Sequence, residues 1–346
     1  MDSFRECIKI ANDVISENGL DVSIVCGDER ELIPSIDIEK KTIVFPYLQE
    51  ALLILDEIGT ADQFRCFYLS LLMLQNDDYI SGNELMDALD KLSIPICTNA
   101  ESLYTSTLIK QLFIIFHELG HYYYKDEEKP SLFAVYYSEY LKILDESYKN
   151  IELIEKEKTQ MLETFKSATD DVTALEDYFD NFDYKTYLTS YYNGQNNVNE
   201  SSADLYASLL LLCLLPKLGL SNKTVVKSVV GAINYLHTIT SYQNFTDGIC
   251  DTSQHSQSLS VRLGFLKTMF ALFDPYNYSQ EDVLEKLIQL VKDLPSFEKY
   301  IIKWREGNLN QSESAEYHRL KERIDDYAKS LKQLYQNTSA LNTKTD

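Results

Sequence analysis

An apolar, helix-patterned stretch at residues 107–124, TLIKQLFIIFHELGHYYY, constrains this chain more than any other part of its sequence. It contains the motif H-E-x-x-H, formed by His117, Glu118 and His121. An α-helix turns once in about 3.6 residues, so the two histidines project from one face, about one turn apart. Two imidazoles in this arrangement fill two positions of a tetrahedral zinc site, and the glutamate beside them suits a general base. The stretch therefore predicts a buried helix that carries a metal centre.

A metal centre of this kind needs a third protein ligand, and the candidates are three downstream carboxylates, Glu139, Glu146 and Glu200. The metzincin pattern is excluded, because positions 124 and 127 hold tyrosine and glutamate instead of glycine and histidine. Glu200 is preferred because Asp204 follows it by four residues, one turn along the same helix face. We expect Glu200 to bind the metal and Asp204 to accept the second ring N–H of either histidine. Glu139 is the next candidate, although it has no acid four residues later.

The sequence HELGH, followed at a distance by ESSAD with Tyr206 and Ala207 after it, resembles the gluzincin peptidases whose second motif is E-x-x-A-D. Three families are similar: the HtpX-like peptidases, the ImmA/IrrE-type peptidases and the phage-exclusion Lit-type proteases. The similarity covers about residues 105–125 and 198–212. It implies a zincin-like fold and a soluble zinc peptidase. HtpX-like enzymes are embedded in the membrane and fit less well, because no segment here has the length and apolarity of a membrane span.

A weaker similarity lies in the segment QHSQSLSVRL, which contains His255 and Arg262. It resembles a His-Pro…Arg segment that follows the second motif in several such peptidases, with Ser256 here in place of the proline. Peptide hydrolysis needs a donor for the oxyanion that develops on the carbonyl. The candidates are His255, Arg262, Tyr122 and Tyr206, and the resemblance places His255 first.

The composition excludes some classes of partner. The 346 residues carry a net charge of −22, which disfavours nucleic acid and anionic membranes and favours a basic protein or peptide substrate. The six cysteines are scattered without C-x-x-C pairs, and the first residues contain no secretory apolar segment. Both features indicate the reducing cytoplasm.

The hydrophobic periodicity predicts a mainly α (α+β) protein with a small N-terminal sheet and many packed helices. Strands are expected at 22–25, 35–38 and 42–45, the last two as a hairpin. The resemblance to zinc peptidases implies that 42–45 is an edge strand of the cleft that binds extended substrate. Helices are expected at 4–17, 48–58, 61–76, 82–91, 103–124, 131–166, 200–215, 221–240, 256–273, 280–292, 297–304 and 312–336. A loop is expected at residues 170–199, leading into the helix that begins at Glu200. We divide the chain into an N-terminal lobe (1–100), a catalytic helical core (101–275) and a C-terminal helical block (276–346).

These observations together predict a zinc-dependent endopeptidase in which His117, His121 and Glu200 hold Zn²⁺ and Glu118 is the general base. Resemblance to the Lit-type proteases implies a role in phage defence, and resemblance to the ImmA/IrrE type implies cleavage of a repressor. Two alternatives remain: an inactive binding or regulatory protein on a gluzincin scaffold, and a helical interaction protein with a fortuitous motif.

Overall fold

The computed structural model describes residues 3–28, 31–123, 195–246 and 314–342, together with Thr159, Glu163 and Arg262. These parts of the chain are mainly helical, with one three-stranded sheet. The N-terminal elements are α1 (Ser3–Glu17), β1 (Ser23–Cys26), β2 (Ser35–Asp37), β3 (Thr42–Phe45), α2 (Gln49–Ile58), α3 (Ala61–Gln75) and α4 (Tyr79–Leu89). The later elements are α5 (Ala100–Tyr123), α6 (Gln195–Leu218), α7 (Asn222–Thr246) and α8 (Ser314–Asn342). Among these helices, none is both long and apolar enough to cross a membrane.

The helices predicted within these ranges are confirmed, and local signals explain several of their ends. Gly19, with φ +64°, follows α1 and takes a left-handed conformation that other residues rarely adopt. Thr60 and Gln63 form a capping box at the start of α3, in which each side chain accepts from the backbone of the other. The helices predicted at 131–166, 256–273, 280–292 and 297–304 lie outside the described ranges, apart from the three single residues.

The loop predicted before Glu200 is wrong in its last part, because α6 already begins at Gln195. The prediction rested on glycine and asparagine, which favour turns in isolation. Local propensity is a weak prior, and a helix extends easily once a packed segment has nucleated it. The buried residues Ala203 and Asp204 give α6 that packed segment.

The sheet has the strand order β1-β3-β2. Strands β2 and β3 are antiparallel, with Ile36 opposite Ile43, which confirms the predicted hairpin. Strand β1 runs parallel to β3 on its other side. The proposed edge position of Thr42–Phe45 is therefore wrong, because this strand is central and both of its sides are already paired. Ile43 and Phe45, both fully buried, show the packing of a central strand.

Helix α5 lies at the centre of the described structure, where it contacts α1, α2, α6, α7, α8 and the sheet. Its segment from Leu112 to Phe116 is fully buried, so almost every side of the helix is covered. Helix α8 packs against α2, α3, α4 and α5 and buries Leu320 and Ile324 completely. The site helix is thus surrounded by neighbours that fix its position.

A buried cation ties α5 to α2. The side chain of Lys110 is 1% exposed; its Nζ lies 2.7 Å from Oδ2 of Asp56 and also pairs with Glu57. Burial alone would lower the pKa of Lys110, but the two carboxylates outweigh it and raise the pKa above its ordinary value. In α7, Gly231 leaves room for this side chain, because a Cβ there would lie 2.6 Å from Cε of Lys110.

We predict that Lys110→Met lowers the free energy of unfolding by about 3 kcal/mol, measured by urea denaturation, because it leaves two partly buried carboxylates without their cation. The matched control is Lys329→Met, which removes an exposed pair with Asp326 and should change the free energy by less than about 0.5 kcal/mol. Equal losses in the two variants would contradict this account of the α5–α2 contact.

Candidate metal centre

The structure brings His117, His121 and Glu200 together at the contact between α5 and α6. The two Nε2 atoms lie 3.2 Å apart. Oε2 of Glu200 lies 3.3 Å from Nε2 of His117, and Oε1 lies 3.6 Å from Nε2 of His121. Three donor groups from two helices therefore converge on one small volume, and they form a group that could hold a metal ion.

The spacing of these donors fits a tetrahedral cation. Zinc binds nitrogen and oxygen at about 2.0–2.2 Å, which places neighbouring donors of a tetrahedral site about 3.3–3.6 Å apart. The observed separations are close to these values: 3.2 Å between the two Nε2 atoms, 3.3 Å from His117 to Oε2 and 3.6 Å from His121 to Oε1, so each histidine faces a different oxygen of Glu200. The donor types, two imidazoles and one carboxylate, are also ones that zinc accepts. The residues present therefore fit such an ion without rearrangement of the helices.

Asp204 orients one of the histidines. Its carboxylate is 0% exposed, and Oδ1 lies 2.9 Å from Nδ1 of His117, within hydrogen-bonding distance. A proton on Nδ1 leaves the lone pair of Nε2 directed toward the other donors, as a ligand requires. Of the two histidines that the sequence offered as partners of Asp204, the structure thus selects His117.

Arg262 completes the cluster from another part of the chain. Its Nε donates to Oδ2 of Asp204 and its Nη2 donates to Oδ1, both at 2.7 Å. Its Nη1 lies 3.3 Å from Oε2 of Glu200. Arg262 was a sequence candidate for the oxyanion donor, but in the structure its N–H groups face the carboxylates of Asp204 and Glu200. One imidazole N–H cannot satisfy a buried carboxylate, which accepts about four hydrogen bonds. The need of Asp204 for a further partner was the signal that could have identified Arg262.

The charges of the cluster favour a divalent cation. A metal ligand needs a neutral imidazole. With both histidine rings neutral and every carboxylate ionised, three negative charges and one positive charge give a formal sum of −3 + 1 = −2; the carboxylates are those of Glu118, Glu200 and Asp204, and the positive charge is that of Arg262. Burial opposes the charge on Glu200 and Asp204, but hydrogen bonds and the Arg262 charge hold the pKa of both below its usual range. A dication neutralises this residual charge in a site where isolated charges are costly.

The pKa values of the motif residues differ strongly. Burial raises the pKa of Glu118 to about 7, and the neighbouring Glu200 carboxylate adds to this shift. Burial and the nearby His117 lower the pKa of His121 to about 4, which keeps this ring neutral, as a ligand requires. Burial also disfavours charge on His117, but contacts with Asp204 and Glu200 outweigh it and raise its pKa to about 10. A metal ion and a proton therefore compete for Nε2 of His117.

A close contact between the two helices sets these distances. A Cβ placed on Gly120 would lie 2.7 Å from Cα of Ala203, closer than real Cβ contacts come. Glycine at this position therefore lets α5 and α6 approach until the histidines meet Glu200. One turn further along both helices, the rings of Tyr123 and Tyr206 stack with their centroids 4.8 Å apart.

The remaining candidates from the sequence are placed only in part. Tyr206 lies in this stack, where burial raises its pKa to about 12, and Tyr122 is partly buried at the end of α5. His255, Glu139 and Glu146 lie outside the described residues.

Comparisons of the chain with models of known families, with curated proteins and with solved structures gave no match. The site must therefore be interpreted from its own geometry.

We predict that Gly120→Ala weakens the binding of a divalent metal ion, with Zn²⁺ as the probe, by about 10–100-fold, because the new methyl group forces α5 away from Ala203 and separates the metal-binding atoms. Competition with a chelator measures the affinity. The control is Gly82→Ala in α4, where the added Cβ meets the flexible end of the Leu320 side chain and no metal donor. Unchanged zinc affinity in the Gly120 variant would contradict the role given to this contact.

Proposed function

We propose that this chain is a zinc-dependent endopeptidase of the gluzincin type, with a zincin-like fold, that hydrolyses peptide bonds of a protein substrate. The observation that carries the proposal is the convergence of His117, His121 and Glu200, with the carboxylate of Glu118 buried beside them. A carboxylate that binds no metal but lies next to a metal centre suits a general base. A purely structural site has no need of it.

The donor set supports zinc in a catalytic arrangement. Structural zinc sites are usually closed by four protein ligands, whereas catalytic sites have three and leave one position open. Within the part of the chain that the structure describes, the group contains three residues. Zinc bound here would act as a Lewis acid toward the scissile carbonyl and lower the pKa of water from about 15.7 to about 7.

The other residues of the site have separate roles in proton transfer, ligand orientation and oxyanion stabilisation. Glu118, at 8% exposure, takes the proton of the attacking water and delivers it to the leaving amine nitrogen. Asp204 keeps His117 in the tautomer that presents Nε2. The donor to the developing oxyanion is one of Tyr122, Tyr206 and His255, since Arg262 is engaged with carboxylates.

The substrate class follows from charge and from the resemblance. A net charge of −22 attracts a basic protein or peptide and repels nucleic acid and anionic lipid. Scattered free cysteines, such as Cys7 and Cys66, suit a reducing cytoplasm. The similarity to Lit-type and ImmA/IrrE-type proteases supports an intracellular protein target, in phage defence or in regulation.

We predict that purified wild-type protein contains about one zinc ion per chain and that Glu118→Gln retains the zinc but loses proteolysis, because the amide cannot accept the water proton. Metal analysis measures the first effect. Comparison of protein fragments in cells expressing the wild type and the Glu118→Gln variant measures the second. His117→Ala is the complementary variant and should lose the zinc as well.

Each alternative predicts a different result. If the purified wild-type protein contains no zinc and His117→Ala does not change its metal content, the motif is fortuitous. If the wild type and Glu118→Gln both contain zinc and give identical fragment patterns in cells, the chain is a binding protein on a related scaffold. Glu322→Gln, an exposed change in α8, is the control for a glutamate-to-glutamine substitution and should match the wild type in both measurements.

A further inference from the structure

Arg262 makes an asymmetric contact with Glu200 that the reaction itself does not require. The side chain is 7% exposed, and its Nη1 approaches one carboxylate oxygen, Oε2, at 3.3 Å. The remaining contacts hold the guanidinium in place, since Nε and Nη2 both donate to Asp204 at 2.7 Å. This two-bond arrangement fixes the plane of the guanidinium and the direction of Nη1.

The asymmetry matters because a carboxylate can bind a metal through one oxygen or through both. Binding through both oxygens takes one further coordination position, which a hydrolytic site needs for water and substrate. The positive charge of the guanidinium, 3.3 Å from Oε2, attracts that oxygen and reduces its ability to bind a second cation. Oε2 also lies 3.3 Å from Nε2 of His117, so Arg262 and His117 share this oxygen. The other oxygen, Oε1, lies 3.6 Å from Nε2 of His121 and is the one left for a metal ion.

We propose that Arg262 is a positioning residue that restricts Glu200 to one-oxygen coordination and so keeps a coordination position open. The inference rests on the proposed zinc site and adds a specific cause for its open geometry. Asp204 contacts both Arg262 and His117: it holds Arg262 against Glu200, and it lies next to Nδ1 of His117. One buried carboxylate thus orients two of the three metal donors.

The test uses Co²⁺ in place of zinc, because its visible absorption is stronger in four-coordinate than in five-coordinate complexes. We expect Arg262→Gln still to bind Co²⁺, with an affinity weakened by no more than about 10–100-fold, since all three donors remain. Its absorption should be weaker, because Glu200 then binds through both oxygens. Arg262→Lys keeps the charge but lacks the planar fork, so its absorption should fall as well.

The control variant is Arg323→Gln in α8. It removes a partly buried arginine that donates to the backbone oxygen of Asn83 at 2.9 Å and also pairs with Asp90. Its cobalt spectrum should equal that of the wild type. This comparison separates a general loss of stability from a change at the metal.

Three results would overturn the inference while leaving the zinc site intact. The first is a wild-type Co²⁺ spectrum in a folded Arg262→Gln protein. The second applies if Arg262→Gln does not fold, and is a wild-type Co²⁺ spectrum in Arg262→Lys. The third is loss of Co²⁺ binding by a folded Arg262 variant. The last result would mean that Arg262 holds the donors together instead of selecting how Glu200 binds. A wild-type protein that takes up no Co²⁺ would instead contradict the proposed function itself.

Discussion

The close crossing of α5 and α6 at Gly120 and Ala203 is the constraint on which the candidate site depends. The metal donors lie far apart in sequence, and each helix alone supplies an incomplete set. Helix axes usually pack 8–10 Å apart, and a residue without a side chain allows the nearer end of this range. At that separation the short carboxylate of Asp204 reaches Nδ1 of His117, and the carboxylate of Glu200 reaches both Nε2 atoms. The chemistry of the site is thus a consequence of backbone packing.

This crossing also buries charge, which has its own cost. A carboxylate such as Asp204, with no exposure to water, destabilises a fold unless it is paired and hydrogen-bonded. Arg262 meets this need for Asp204, but with both histidine rings neutral it leaves the cluster with an excess of negative charge. A bound dication would remove that excess in place of the proton on His117, so metal binding and the stability of the α5–α6 contact would be coupled. Removal of the metal should therefore affect the packing of both helices, as well as any activity.

The sequence allowed prediction of those features that depend on local pattern. Residue spacing predicted the helical segments, and ligand chemistry predicted the grouping of His117, His121 and Glu200. Contacts between distant segments were predictable only where a ligand motif marked both partners. The central place of Thr42–Phe45 depends on which strand pairs with its second side, and an alternating pattern is the same for both outcomes. The contact of Arg262 with Asp204 spans 58 residues of sequence and has no periodic signal.

Lys110 shows why the site helix can hold its ligands so closely. It lies ten residues before Gly120, about 15 Å along α5, and fixes that helix to α2 through Asp56 and Glu57. The glycine fixes the other end of the helix to α6. A helix held at two separated points cannot rotate or slide without breaking one of them, so His117 and His121 remain in register with Glu200. Donors on such a rigid element need little reorganisation when a metal binds, which favours tight binding. Arg262 is different, since it contacts only the α6 carboxylates of Glu200 and Asp204 among these groups.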